Sequence, residues 1–339
     1  GTPISNSMTE MFVMQKYMHP DKMRELGIEH FDCWASDFGE TVSAMELVPS
    51  GRGYKMRTRF AKFKNLPELM NLYGMFADVL PEGTIKLNVP EAERIVVTLK
   101  PSETVLELSD KIVARAEKLQ NTKVDPRIDN MLKITSDGKK LALDPRCLDL
   151  FAADEAGNKL NACAAEVYEY WKQTEEFQGT QLVFCDLATP KQTFESYECG
   201  KNFDAYNELK CKLVEKGIPQ EQIAYIHEAK NDNEKLNLFN KVNAGKIRIL
   251  LGSTEKCGAG TNVQKRLKAI HHLDAPYRPR DLIQRNGRGV RQGNMNKSVA
   301  ICTYVMERTF DSYSYQILEN KQRFISQIEH GEVTQREGE

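Results

Sequence analysis

The chain has 339 residues, 40% hydrophobic and 28% charged, with a formal net charge of -1. That length can bury a substantial core and allows about two domains, while near-neutral charge excludes a histone-like polyanion binder, so any nucleic-acid surface must be a local patch. No apolar run reaches membrane-spanning length and the N-terminus carries no signal peptide, so a cytoplasmic protein with no membrane partner is expected. Eight cysteines, none in a C-x-x-C pair and several in apolar runs, read as buried free thiols of a reducing compartment. The histidines and cysteines offer no metal spacing; His271 and His272, adjacent in a predicted strand, would point to opposite faces.

In chain order, Gly1 to Ser7 precede a helical pattern with apolar residues at Met11, Met14, Tyr17 and Met18. A start at Gly-Thr-Pro is expected to be the cut edge of a longer polypeptide. Residues 20–80 read as mainly helical, with loops at Gly39 and Ser50 to Gly53. Tyr54 to Lys64 interleaves Lys55, Arg57, Arg59, Lys62 and Lys64 with Tyr54, Phe60 and Phe63. Such mixing suits nucleic acid, because aromatics stack on bases while cations meet phosphate; a half-buried amphipathic segment with its charges in water is the preferred reading. Leu87 to Pro101 reads as a strand, Ser102 to Leu119 as a helix, and Lys159 to Thr174 as an amphipathic helix with Leu160, Cys163, Val167 and Trp171 along one side.

From Thr180 onward strand and helix alternate. Strands are expected at 181–185, 223–227, 247–251, 269–273 and 299–305, and helices at 204–216, 231–243 and 311–328. This alternation specifies a parallel sheet covered on both faces. Between Ile247 and Asn294 lie Ser253, Thr254, Lys256, Gly258 and Gly260, then a strand ending in Asp274, then Pro279 at the first position of a helix bearing Gln284, Arg285, Arg288 and Arg291. Glu255 to Arg291 holds nine basic residues against three acids, which marks an anion-binding surface in this nearly neutral chain. Taken singly, Gly258 and Gly260 could form a tight turn, and the arginines a solvated face.

The order Thr-bearing glycine loop, strand ending in Asp, then Gln-Arg-x-Gly-Arg-x-x-Arg-x-Gly resembles the fifth and sixth motifs of superfamily-two helicases. Gly1 to Ser7 resembles the third motif of the Swi/Snf-like branch, and the resemblance extends loosely over residues 1–180 and strongly over 181–328. It looks nearest to the second lobe of the large helicase-methyltransferase proteins of phages and conjugative elements, a mobile-element setting. Gly287 and Val290 stand where chromatin remodellers usually have Asp and His. The resemblance implies an α/β, RecA-like parallel sheet preceded by a mainly helical segment: residues 1–80 the end of the first ATPase lobe, 81–180 a lead-in strand and helical insertion, 181–330 the RecA-like C-terminal lobe, and 331–339 a frayed tail.

What the resemblance implies chemically is an ATP-dependent DNA translocase or helicase. Arg288 and Arg291 would be catalytic fingers, and Gly258, Gly260 and Gln284 would join them in binding ATP. Ser253, Thr254, Lys256, Lys265 and Arg266 would contact double-stranded DNA. ATP and Mg would be held mainly by a first ATPase lobe of the same polypeptide, with a fused methyltransferase domain as a further partner. No G-x-x-x-x-G-K-[ST] occurs: the Gly-Lys pairs at Gly138, Gly200 and Gly245 lack both the earlier glycine and the following hydroxyl. The fragment alone is therefore expected to be inactive. Asp154-Glu155-Ala156-Gly157 imitates the magnesium-binding motif but lies downstream of where the resemblance would place it. A non-catalytic RecA-like DNA-binding or interaction module is the alternative, and a nucleotide-dependent transferase on a similar sheet is a more distant one.

Overall fold

The computed structural model describes residues 9–48, 54–78, 87–121, 125, 127–190, 193–198, 203–258, 260–329 and 337–338. The opening segment Gly1 to Ser7 and most of the tail at 331–339 lie outside them. The N-terminal unit begins with α1 (Thr9–Met18), α2 (Pro20–Glu25) and α3 (Phe31–Phe38). Next come β1 (Gly39–Leu47), β2 (Tyr54–Lys64) and α4 (Leu66–Gly74). Its core is aromatic, built on Phe12, Trp34, Phe38, Phe63 and Leu69, and it takes Ile325 from the last helix of the chain. Gln15, itself buried, accepts the Trp34 indole N–H at 2.6 Å.

Here the structure corrects the sequence reading. Gly39–Leu47 and Tyr54–Lys64 are not helical but form an antiparallel ribbon, with Glu46 opposite Lys55 and Ala44 opposite Arg57. The alternation Lys55, Arg57, Arg59 has period two, which a strand can sort onto one face and a helix cannot. Apolar content without attention to period favoured the wrong element.

The rest is an α/β body. In chain order it contains β3 (Glu91–Leu99), α5 (Glu103–Asn121), α6 (Met131–Leu143), α7 (Lys159–Gln173), β4 (Thr180–Phe184), α8 (Ala205–Glu215) and β5 (Ile223–Tyr225). There follow α9 (Asp232–Asn243), β6 (Ile249–Gly252), α10 (Thr254–Gly258), β7 (Leu267–His272), α11 (Pro279–Asn286), β8 (Ser298–Met306) and α12 (Phe310–Glu329). A two-residue strand, β9 (Glu337–Gly338), adds to the ribbon beside β2. The six strands of the main sheet run in the order β3-β8-β7-β4-β6-β5, all parallel.

Strand alternation divides the core. Val183, Ile249, Leu251, Ala269 and Tyr304 face one layer with Leu160, Val167 and Leu209 of α7 and α8. Leu182, Phe184, Leu250 and Ile270 face the other with Phe239 and Val242 of α9. Each fully buried side chain of this kind contributes about 1.5–3 kcal/mol. Helix starts follow local capping: Asn158 accepts the Asn161 N–H, and Asn231 accepts the Glu234 N–H at 2.9 Å.

Charges are buried too, and one cluster pairs them closely. Arg146 donates to both oxygens of Asp144 and to Glu208 and Asp154, while Lys212 pairs with Asp154 and Tyr197 donates to Glu208. Asp154, the sequence decoy for a metal ligand, is thereby a structural ion-pair partner. Lys159 joins α7 to the Leu273 carbonyl and to Asp311 at the start of α12.

One cysteine expectation fails. Six cysteines carry free thiols, but Cys211 on α8 is disulfide-bonded. Pairing depends on Cα separation in space, which linear spacing does not reveal, and the cysteine argument for a reducing compartment falls with it. No helix among the described residues is long and apolar enough to cross a membrane.

His271 and His272 do lie on opposite faces of β7. His271 lies between the Tyr304 hydroxyl and the Gln181 side-chain oxygen, both at 2.9 Å, and burial pushes its pKa down to about 3. The folded value is below the unfolded one, so between about pH 6.5 and 3 the unfolded chain binds the extra proton. Stability is full above that window and falls as pH drops through it. Denaturant unfolding between pH 6.5 and 4.5 should show a slope about 1.4 kcal/mol per pH unit shallower in His271→Gln than in the parent chain.

Candidate functional site

The carboxyl ends of β4, β6 and β7 converge, and each is followed by a polar residue: Asp186, Thr254 and Asp274. Such ends are where open parallel sheets place ligands. Here they are tied together by Arg285, which α11 drives into the interior with no exposed surface. Its Nη2 donates to Asp186 at 2.7 Å and to Asp274 at 3.0 Å, and its Nη1 to the Asp274 carbonyl at 2.9 Å. Nε donates to the Thr254 hydroxyl at 2.8 Å, His272 Nδ1 lies 3.5 Å from Nη1, and the guanidinium lies 5.2 Å from the Phe184 ring centre.

The carboxylates are equally committed. Asp186 accepts the Thr254 N–H at 2.6 Å and its hydroxyl at 2.7 Å, while Asp274 accepts the N–H groups of Asp186 and Leu187 at 2.5 and 2.9 Å. Burial alone would raise the Asp186 carboxyl, but Arg285 and the Thr254 donors outweigh it and hold it low. Asp274 is raised, because complete burial exceeds the help it receives from Arg285. One cation serves two buried acids, and the more deeply buried of them is the less fully compensated.

Around this clamp the structure distributes the sequence-predicted residues. Thr254 opens α10, and both its N–H and its hydroxyl are already engaged by Asp186 and Arg285, which leaves less for a DNA phosphate than the sequence suggested. Ser253 is buried, its hydroxyl 3.4 Å from the Lys256 N–H, whereas Lys256 is exposed. An open cavity of about 500 Å³ above them is lined by Asp186, Thr189, His227, Glu255, Lys256 and Asp281, a mixture of signs. Gly258 ends α10. Gly260 has φ +70°, a conformation that only glycine adopts freely. Gly252 is needed for a different reason, since a Cβ there would meet Cys257 Sγ at 2.2 Å and Ile226 at 2.8 Å.

Beyond Gly260 the loop turns back over the second face of the sheet and meets the arginines. Arg288 Nη1 donates to the Thr261 carbonyl at 3.1 Å and its Nε to the Gln284 carbonyl at 3.2 Å. Arg291 donates to the Asn262 side-chain oxygen at 3.0 Å. Gln284, Gly260, Arg288 and Arg291 are thus brought together. Among the described residues neither Arg288 nor Arg291 pairs with an acid. Burial and then the neighbouring Arg291 charge press the half-buried Arg288 guanidinium below the ordinary arginine range.

Lys265 and Arg266 do not join Ser253, Thr254 and Lys256. They precede β7, the Arg266 carbonyl accepting the Thr180 N–H at the start of β4, so the length of a strand, about 20 Å at 3.3 Å per residue, separates them from the clamp. Arg266 donates to the Phe177 carbonyl. Sequence reasoning gave Asp186 no role and left Arg285 without a function. The available signal was two acids, Asp186 and Asp274, each standing immediately beyond a buried strand. No group of three His, Cys, Asp or Glu side chains among the described residues is placed to hold a metal ion.

Two family descriptions match the chain: a probable helicase domain over residues 1–80, and a helicase conserved C-terminal domain over residues 173–293. Residues 173–293 form a helicase C-terminal lobe. That segment runs from the end of α7 past Arg291, so it contains the whole clamp and both loosely held arginines. The Defense against restriction protein B of Escherichia phage P1 is 30% identical to this chain over 191 residues. That match covers 44% of this chain and 8% of the phage protein. Among solved structures, the C-terminal part of the Fun30 ATPase domain aligns with 72% of this chain and 99% of its own, at 14% identity and a TM-score of 0.47. The DUF1998 helicase MrfA bound to DNA aligns with 46% of this chain and 20% of its own, at 13% identity and a TM-score of 0.33.

Removing Arg285 from the helicase lobe strands two carboxylates. Arg285→Ala should lower unfolding free energy by about 3–5 kcal/mol, the usual cost of breaking a buried pair. Thr254→Ala, which deletes one hydroxyl, should cost about 1–2 kcal/mol. Urea titration of both variants checks the ratio.

Proposed function

We propose that the chain is the second lobe of a Swi/Snf-like, ATP-dependent DNA translocase or helicase, and that Arg288 and Arg291 present guanidiniums to the phosphoryl group of ATP seated on a first lobe elsewhere in the polypeptide. The observation that carries this is Arg288 itself. A half-buried guanidinium bonded to two carbonyl oxygens, with no carboxylate paired to it among the described residues, is electrostatically incomplete, and an arriving phosphate would supply the missing anion. Arg291, more exposed and held by one amide oxygen, can swing toward the same anion.

The donor set suits phosphate and not magnesium. Two arginines and glycine-shaped backbone lie together, while carboxylates near them are absent among the described residues; Asp186 and Asp274 are consumed by Arg285. The metal ion would therefore be held by the first lobe. Guanidiniums fixed before the reaction stabilise charge developing on the transferring phosphoryl oxygens without reorganising. Gln284 shares the helix with Arg285, so it is held at the same edge. DNA phosphates would meet Lys256 on the rim of the open cavity. Phage P1 carries the relative matched above, which is in keeping with a mobile-element origin and a much longer parent protein.

In the complete polypeptide, Arg288→Ala or Arg291→Ala should lower ATP turnover by about a thousandfold, roughly 4 kcal/mol of transition-state stabilisation, with a much smaller effect on ATP binding. Lysine should rescue poorly because it lacks the planar fork of donors. Folded variants that keep parental turnover would remove the assignment. For the DNA contact, Lys256→Glu should weaken duplex binding and flatten its dependence on salt by about one counterion, read by fluorescence anisotropy at several salt concentrations.

A further inference from the structure

The basic ribbon is not absorbed by that function. Its strand β2 carries Lys55, Arg57, Arg59, Lys62 and Lys64 and no acid. Lys55, Met56, Arg57 and Thr58 are all exposed, although consecutive residues of a strand face opposite sides. Both faces of this part of the ribbon are therefore open.

One of those faces overhangs a cleft. Lys55 and Arg57 form its roof, and its floor comes from α5, α6 and the start of α12. The floor is mostly apolar, with Ile112, Val113 and Ile134, and the rings of Phe310 and Tyr313 stand at its end with centroids 5.3 Å apart. Its volume is about 380 Å³, within the range of small-ligand sites. Glu117 is the one acid among its lining residues.

We propose that this cleft receives an unpaired nucleotide of a nucleic-acid strand, the base lying on the apolar and aromatic floor and the flanking phosphates meeting Lys55 and Arg57. A cationic roof over an apolar floor disfavours a purely apolar occupant, which would leave Lys55 and Arg57 with Glu117 as the one acid in the cleft to answer them. A basic peptide is repelled. A duplex cannot enter, since its bases are stacked and paired inside; only an unpaired or extruded base offers a flat face together with a phosphate. The proposal rests on the nucleic-acid part of the function above and adds to it: a translocase with such a cleft would hold one strand apart from the other.

The test is fluorescence anisotropy with the 339-residue chain, using a labelled oligothymidine strand and a labelled blunt duplex at several salt concentrations. The double variant Lys55→Glu/Arg57→Glu, exposed and remote from the sheet core, should bind the strand at least about tenfold more weakly and with a shallower salt dependence. Tyr313→Ala should weaken strand binding by about fivefold or more with the salt dependence unchanged, as loss of stacking does. Melting curves establish that each variant is folded. Parental strand binding in the folded charge variant overturns the proposal, as does an equal loss of strand and duplex binding with Tyr313→Ala silent, which would make the ribbon a plain electrostatic patch. Lys256→Glu, measured in parallel, keeps the two readings apart. If it leaves duplex binding untouched while the cleft variants abolish strand binding, the duplex contact fails and the cleft stands.

Discussion

A guanidinium buried without surface must find a partner for every N–H, and Arg285 satisfies that demand by gathering three strand ends and a helix around itself. Asp186 follows β4, Thr254 follows β6 and Asp274 follows β7, so one side chain fixes the edge of the sheet on which the rest of the site stands. Burial of a charge is costly, and the arrangement is tolerable only because the geometry is complete. Its product is a rigid position for α11. Arg288 and Arg291 begin one turn beyond the clamp and inherit that position.

Three arginines on one short stretch thus have three physical fates. Arg285 is enclosed and saturated, Arg288 is half-enclosed and bonded only to carbonyls, and Arg291 is held by one amide oxygen. Sequence spacing treats them alike. What separates them is depth: a residue whose donors are all used can organise a site, and a residue whose donors are partly unused can act in it. The same logic removes Asp154 from the chemistry, since Arg146, Lys212 and Asn158 already occupy its oxygens.

Much of the main body was legible in the sequence because buried parallel strands are short apolar runs and the helices between them have caps. Every strand expected from Gln181 to Val305 is present within a few residues, and the glycine loop does meet the arginine helix. The ribbon of Gly39–Leu47 and Tyr54–Lys64 is not legible from apolar content, which a helix shares, but only from its period of two. The proposed DNA-contact set was split because Lys265 and Arg266 are near Lys256 in sequence while a strand runs between them in space. Asp186 escaped notice because its role depends on Arg285, 99 residues later, and no local pattern encodes such a partner.

The edge strand β3 has a consequence for the order in which the molecule comes together. Among the described residues it pairs only with β8, Glu91 opposite Ser298, so strands about 200 residues apart in the chain must meet. During synthesis β3 emerges about 200 residues before its partner. Throughout that interval it is an unpaired edge carrying Val96 and Val97, a template for pairing with any neighbouring nascent chain. Glu91, Glu93 and Arg94 stand at its start, charges of the kind that discourage such encounters until β8 arrives. A ribosome that stalls before residue 298 would therefore release a lobe with its sheet unfinished and its longest vulnerable edge uncovered.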